Sequence, residues 1–144
     1  MSERSVSLEL AEAERRFLTA ALRQWGGAAR ATGQLAVALG FADLHHFHAE
    51  TVRLRGLVEN QAALTTDEWR RVLVASEVVF ASDVFGAGLD WSIAAGITDD
   101  EALTLLRSIQ RKMPRWRSSV QFDVTADGGV QVRDADRART RHDA

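Results

Sequence analysis

The stretch with the clearest potential for chemistry is FGAGLDW (residues 85–91), in which two glycines precede an acid–tryptophan pair. Glycines cradle phosphate groups when they occur as G-x-G-x-x-G between a strand and a helix. Here Trp91 takes the place of the third glycine, and the apolar run before Gly86 is typical of a helix. A phosphate loop would also need Gly-Lys-Ser/Thr, but the only lysine is Lys112. We therefore predict that the glycine pair ends a helix and turns the chain.

A second group with potential chemistry is the histidine cluster in DLHHFHAE (residues 43–50). On a helix, His45 and His48 would share one face, and His46 and Glu50 another. Neither pair supplies the three or four ligands that a zinc ion takes from a protein. We predict exposed histidines, with no metal and no cofactor.

Nucleophilic and acid–base catalysis lack the residues they need. The chain has no cysteine, no tyrosine and no G-x-S-x-G motif, and its serines have no recognisable base partner. Acid–base chemistry at a carboxylate pair needs one member whose pKa burial has raised. The acids Asp99, Asp100 and Glu101 instead fit the first turn of a helix. The sequence favours a protein that is not an enzyme.

The elements that position these residues follow from periodicity and capping. Apolar residues recur every three or four positions over about Ser7–Trp25, Thr32–Leu39 and Asp43–Val58, which predicts three helices. Two more helices begin with a capping box, in which a threonine and a glutamate three residues later cap each other's amides. These boxes are Thr65 to Glu68 and Thr98 to Glu101, and Pro114 ends the last helix.

After Pro114 the apolar period changes from about 3.6 to 2. Alternation from Trp116 to Val124, a glycine-containing turn at residues 125–129, and then Val130 and Val132 predict a β-hairpin. Leu89, Trp91 and Ile93 also alternate and could form a short third strand. The predicted fold class is mainly α with a small C-terminal β element (α+β), a five-helix core followed by a β-hairpin. We expect one domain over residues 1–132 and a flexible tail over residues 133–144.

Composition narrows the class of protein. The 144 residues are 46% hydrophobic and 26% charged, which is ordinary for one globular domain. The absence of cysteine and of an apolar N-terminal run predicts a cytoplasmic protein with no membrane segment.

The charges are unevenly distributed along the chain. Residues 61–106 hold eight acids and two bases, whereas residues 107–144 hold nine bases and five acids. An acidic surface steers the approach of a basic partner. We therefore expect another protein as the partner, bound through Glu77, Asp83 and Asp90 with Trp91 as an aromatic anchor. A solvated acidic surface without a partner is the alternative.

One segment carries a motif. In TGQLAVALGFADLHHF (residues 32–47), a Leu-Ala pair, a glycine, an aromatic after it and a phenylalanine seven residues after the glycine stand at fixed spacing. Over residues 32–56 the chain resembles the helix-turn-helix of the AraC type, in which a small Ala36 lets two helices approach and Gly40 makes the turn. The resemblance implies a DNA-binding regulator with a recognition helix bearing His45, His46, Arg53 and Arg55. The family's second helix-turn-helix is missing, and Thr51 replaces a usual core aromatic.

The second half of the chain has a more general likeness. The segment Ala95-Gly96-Ile97-Thr98-Asp99-Asp100-Glu101 is similar to the one that opens a late helix in small bacterial immunity or antitoxin-type proteins. That likeness implies an acidic helical body that blocks a partner. The sequence thus leaves two functions open: a protein-interaction module of the immunity or antitoxin type, and a helix-turn-helix regulator.

Overall fold

The computed structural model describes residues 4–114 and 120–134, which fall into two compact units. The larger unit is mostly helical, and the described part of the smaller one is a two-stranded hairpin. The described helices are α1 (Glu12–Arg23), α2 (Gly33–Ala38), α3 (Leu44–Glu59), α4 (Thr66–Ala81), α5 (Trp91–Ala95) and α6 (Asp99–Lys112). The predicted fold class, mainly α with a small β element, is confirmed, and the described residues hold six helices where five were predicted, because Trp91–Ala95 form an additional short one. No helix among the described residues is both long and apolar enough to cross a bilayer.

Threonine caps set where α4 and α6 begin. At α4 the full capping box forms: the Thr65 hydroxyl accepts from the Glu68 N–H at 3.1 Å, and Glu68 Oε1 accepts from the Thr65 N–H at 2.9 Å. At α6 the Thr98 hydroxyl accepts from the Glu101 N–H at 3.2 Å, which is one half of the predicted box. These bonds satisfy amides that have no partner inside the helix.

Helix α1 lies at the centre of the larger unit and packs against α3, α4 and α6. Its buried face carries Phe17, Leu18, Ala21 and Leu22. The α1 and α6 helices are also joined by a polar contact, because Lys112 Nζ donates to the buried Glu14 carboxylate. Burial alone would raise the pKa of Glu14, but hydrogen bonds from Lys112, the Ala11 N–H and Ser108 together lower it.

Two very short strands tie the N-terminal segment to the start of α4. In β1 (Ser5–Val6) and β2 (Leu64–Thr65), Ser5 pairs with Thr65 and Val6 with Leu64, antiparallel. The Trp69 indole N–H donates to the Val6 carbonyl at 2.9 Å. Sequence periodicity did not predict this pairing, since two residues are too few to show an alternation.

The third strand predicted from Leu89, Trp91 and Ile93 is wrong. Residues Gly88–Asp90 form a 3-10 turn that runs directly into α5. A strand places residues i, i+2 and i+4 on one face, whereas a single helical turn places i and i+4 on one side and i+2 on the other. The pattern alone could not separate the two.

The predicted hairpin is confirmed in the smaller unit. Strands β3 (Val120–Val124) and β4 (Val130–Asp134) pair antiparallel, with Phe122 opposite Val132 and Val124 opposite Val130. Gly128 has φ +84° in the turn between them, a conformation that favours glycine. Arg133 and Asp134 of the predicted tail lie in β4 and pair with Gln121 and Val120. The predicted strand residues Trp116 and Ser118 lie outside the described residues, as do residues 135–144 of the tail.

Candidate protein-interaction surface

Residues 82–98 form the segment between α4 and α6, the connector. At its glycine pair the chain turns, as predicted, but the preceding helix α4 ends earlier, at Ala81. A Cβ added to Gly86 would lie 2.6 Å from the Ser82 and Val79 carbonyl oxygens, and Gly88 has φ +47°. The glycines are therefore required by close backbone approach and by a left-handed conformation.

The amides of this turn are engaged inside the protein. The Gly86 N–H donates to the Ser82 carbonyl at 3.0 Å, and the Ala87 N–H donates to the Val79 carbonyl at 2.8 Å. The Leu89 N–H donates to Asp83 Oδ1 at 2.9 Å. A phosphate cradle needs such amides pointing at the ligand. These three amides hold the connector in one conformation instead.

The structure separates the predicted partner-binding acids. Glu77 is half-buried, and its Oε2 accepts from Gln110 Nε2 at 2.8 Å, so it links α4 to α6. Asp83 and Asp90 are exposed on the connector. Of the three, Asp83 and Asp90 therefore present charge to solvent near the glycine turn.

Trp91 is placed differently from the sequence expectation. Its side chain is fully buried, with ring centroids 5.3 Å from Phe17 and 5.5 Å from Phe80. A ring packed between α1 and α4 cannot act as an exposed anchor, so the expectation for Trp91 needs correction. The ring instead fastens the connector to the core.

The exposed apolar residues of the connector are aliphatic. Leu89 and Ile93 are each 86% exposed, and Val84 is 84% exposed. Leu89 and Ile93 are four residues apart in one helical stretch, about one turn, on the side opposite the buried Trp91. The strand interpretation missed them, because it places Leu89, Trp91 and Ile93 on one face, whereas the helical stretch places Leu89 and Ile93 opposite Trp91.

Beside Leu89 lies an open groove of about 330 Å³. Phe80, Leu89 and Leu103 are its large apolar lining residues. Asp83, Asp99 and Asp100 line it as well. The groove thus joins the end of α4, the connector and the first turn of α6, and it combines apolar surface with carboxylates.

The residues predicted to contact DNA lie on α3, and both arginines among them already lie beside carboxylates. Arg53 Nε lies 2.8 Å from Glu50 Oε1, and a second nitrogen of Arg53 contacts Glu68 of α4. These two carboxylates raise the pKa of Arg53 further. Arg55 Nε lies 3.8 Å from Glu59 Oε1.

The histidines of α3 do not converge. His45 is exposed, and His46 Nδ1 accepts from the Ala42 N–H at 3.0 Å, which makes His46 part of the turn before α3. Within residues 4–114 and 120–134, no group of three or more His, Asp or Glu side chains could hold a metal ion.

No protein-family model, curated protein or solved structure matches this chain.

Proposed function

We propose that this chain is a non-enzymatic protein-interaction module, of the immunity or antitoxin kind, that docks a basic partner through an acidic face. This acidic face consists of Asp83, Asp90, Asp99 and Asp100 on the connector and the first turn of α6. The observation that carries the proposal is local charge: residues 72–106 hold six acids and no base.

The pairing of charges supports this face. The ion pairs among the described residues all use glutamates, namely Glu14, Glu50, Glu59 and Glu68. The carboxylates of Asp90, Asp99 and Asp100 take part in no hydrogen bond or ion pair within the described parts of the chain. Uncompensated charge on one surface attracts a partner of opposite charge and speeds its association.

A capture experiment tests the proposal. The wild-type protein, the variant Asp90→Asn/Asp99→Asn/Asp100→Asn, and a control variant are immobilised and exposed to lysate of the native host. The control, Glu9→Gln/Glu12→Gln/Asp67→Asn, removes the same charge from other exposed acids, two of which also lie in first helical turns. Thermal unfolding first shows that all three proteins are folded.

We expect the wild type and the control to retain the same basic protein, detected by quantitative mass spectrometry, and the acidic-face variant to lose it. Retention should fall with added salt, because exposed charges are screened over about 10 Å at 0.1 M ionic strength. Equal retention by all three proteins, or no retained protein, would contradict the proposal.

The geometry of α2 and α3 favours DNA binding as a second candidate. Ala36 is fully buried, Gly40 has φ +94° in the turn, and the rings of Phe41 and Phe47 lie 4.9 Å apart. A small residue, a glycine turn and an aromatic core suit two helices joined as in a helix-turn-helix. The engagement of Arg53 by Glu50 and Glu68 weighs against phosphate contact by that residue.

Gel-shift with fragments of the host genome tests this second candidate. A specific complex should persist from low to moderate salt, and His45→Ala/Arg55→Ala should weaken it, whereas the acidic-face variant should not. If no fragment is retarded, DNA binding is excluded as the function.

A further inference from the structure

The connector carries three aliphatic side chains that are almost fully exposed to solvent. Val84, Leu89 and Ile93 are each more than four-fifths exposed within ten residues of sequence. Contiguous apolar surface rimmed by polar groups marks interaction sites in proteins. Helix α6 adds Leu103, which is 47% exposed and lines the groove beside Leu89.

This exposure does not come from a loose segment. Trp91 fixes the connector to the core, and the bonds of Gly86, Ala87 and Leu89 fix its backbone. The aliphatic side chains are held outward by a defined turn. A surface of this kind is already shaped for a ligand before it binds.

Resting on the proposed function, we infer that the groove and the exposed aliphatic residues bind a partner segment that carries an aliphatic or aromatic side chain flanked by arginine or lysine. The apolar side chain would lie against Phe80, Leu89 and Leu103. The flanking cations would lie against the carboxylates of Asp83, Asp99 and Asp100.

Charge selects this occupant over the alternatives. A second copy of the chain in a two-fold contact would oppose the same four aspartates on both sides, which is repulsive. A nucleic acid would bring phosphates to the same carboxylates. A groove of about 330 Å³ is at the small end of ligand pockets, so it suits one or two side chains of a peptide.

The test uses a random peptide library displayed on phage, selected on the wild-type protein. Enriched peptides are synthesised, and their affinities for the wild type and for two variants are measured by fluorescence anisotropy. The test variant is Leu89→Ser/Ile93→Ser, and the matched control is Val37→Ser/Val52→Ser, which removes two valines that are each 59% exposed on α2 and α3. Circular dichroism shows that both are folded.

We expect enriched peptides that combine arginine or lysine with a large apolar residue. The test variant should bind them about tenfold or more weakly than the wild type, and the control should bind within about twofold. Backbone amide NMR shifts caused by the peptide should fall on the connector and on the first turn of α6.

The inference is overturned by any of three results: enrichment of peptides without bases, equal binding by the test variant, or a wild-type dimer that Leu89→Ser/Ile93→Ser dissociates. These results are separable from the acidic-face proposal. If lysate capture depends on Asp90, Asp99 and Asp100 but not on Leu89 and Ile93, the acidic face stands and the aliphatic docking site falls.

Discussion

The polar surface of α3 and the connector use charge in opposite ways. On α3, Arg53 is shared by Glu50 and by Glu68 of α4. Arg71 of α4 lies 3.8 Å from Glu50 and above the Phe41 ring. On the connector, the carboxylate of Asp90 has no partner among the described residues.

The two regions also differ in the burial of their apolar side chains. Phe41 and Phe47 at the start of α3 are buried against each other and Trp25, whereas Leu89 and Ile93 on the connector project into solvent. Where charges are paired and aromatics buried, the residues stabilise the fold. Where charges are unpaired and aliphatics exposed, the surface is available to another molecule. The difference separates residues that hold the structure from residues that we propose recognise a partner.

The largest expected effect comes from two neighbours on the connector. Trp91→Ala should lower the free energy of unfolding by about 3–5 kcal/mol, because it leaves a large cavity beside Phe17 and Phe80. Ile93→Ala should change it by less than about 0.5 kcal/mol, because that side chain is exposed. Urea denaturation measures both. Similar losses for the two variants would show that the connector does not separate a buried from an exposed side.

The Glu14 carboxylate gives a pH-dependent prediction for a purely structural charge. Its pKa in the folded protein lies below the ordinary value of 4.5, so its contribution is present above about pH 4.5 and is lost as the pH falls through the folded-state pKa. Glu14→Gln should cost about 1–3 kcal/mol at pH 7 and make the acid loss of stability less steep.

Lys112→Arg is the matched variant for this prediction, because it keeps a cation beside Glu14. It should retain most of the acid dependence in urea titrations repeated between neutral and acidic pH. An unchanged acid slope in Glu14→Gln would show that other carboxylates account for the pH dependence.

A pair of charge substitutions tests the comparison directly. Arg53→Ala should lower stability by up to about 1 kcal/mol, a modest loss because the side chain is half-exposed and solvent screens its pairs. Asp90→Asn should leave stability within a few tenths of a kcal/mol. Partner capture should show the opposite order, with a larger loss for Asp90→Asn than for Arg53→Ala. Thermal unfolding and partner capture are measured on the same two proteins. If Arg53→Ala lowered stability and capture to the same extent, the comparison between the two regions would be refuted.

The smallest expected effect concerns the end of α3. Gln61 has φ +56° there, whereas the connector uses glycine at both of its left-handed positions, Gly88 and Gly96. Gln61→Gly should stabilise the protein by about 0.5 kcal/mol, because glycine adopts this conformation without strain. Asn60→Gly, at a residue with φ −87°, should give no gain in the same denaturation assay.

Local signals in the sequence predict most of the fold. The threonine caps of α4 and α6, the apolar stripe of α1 and the glycine-containing turn of the hairpin each act over a few residues. Short-range rules describe such features well.

The candidate surface depends on contacts between distant parts of the chain, so the sequence predicts it only in part. The acidic charge of Asp83 and Asp90 is visible in the sequence. The outward direction of Leu89 is not, because it depends on the packing of Trp91 against Phe17, which is distant in the chain. The groove likewise needs the end of α4 to lie beside the start of α6. The pairing of Arg53 with Glu68 also joins two helices.

The bond from the Leu89 N–H to Asp83 and the close packing around Gly86 have a kinetic consequence. A partner that meets this turn would not wait for a loop to become ordered, so little conformational entropy is lost from the connector at the moment of contact. The association rate constant should then be governed by diffusion and by the ionic strength of the solution, and differences in affinity among variants should arise in the dissociation rate.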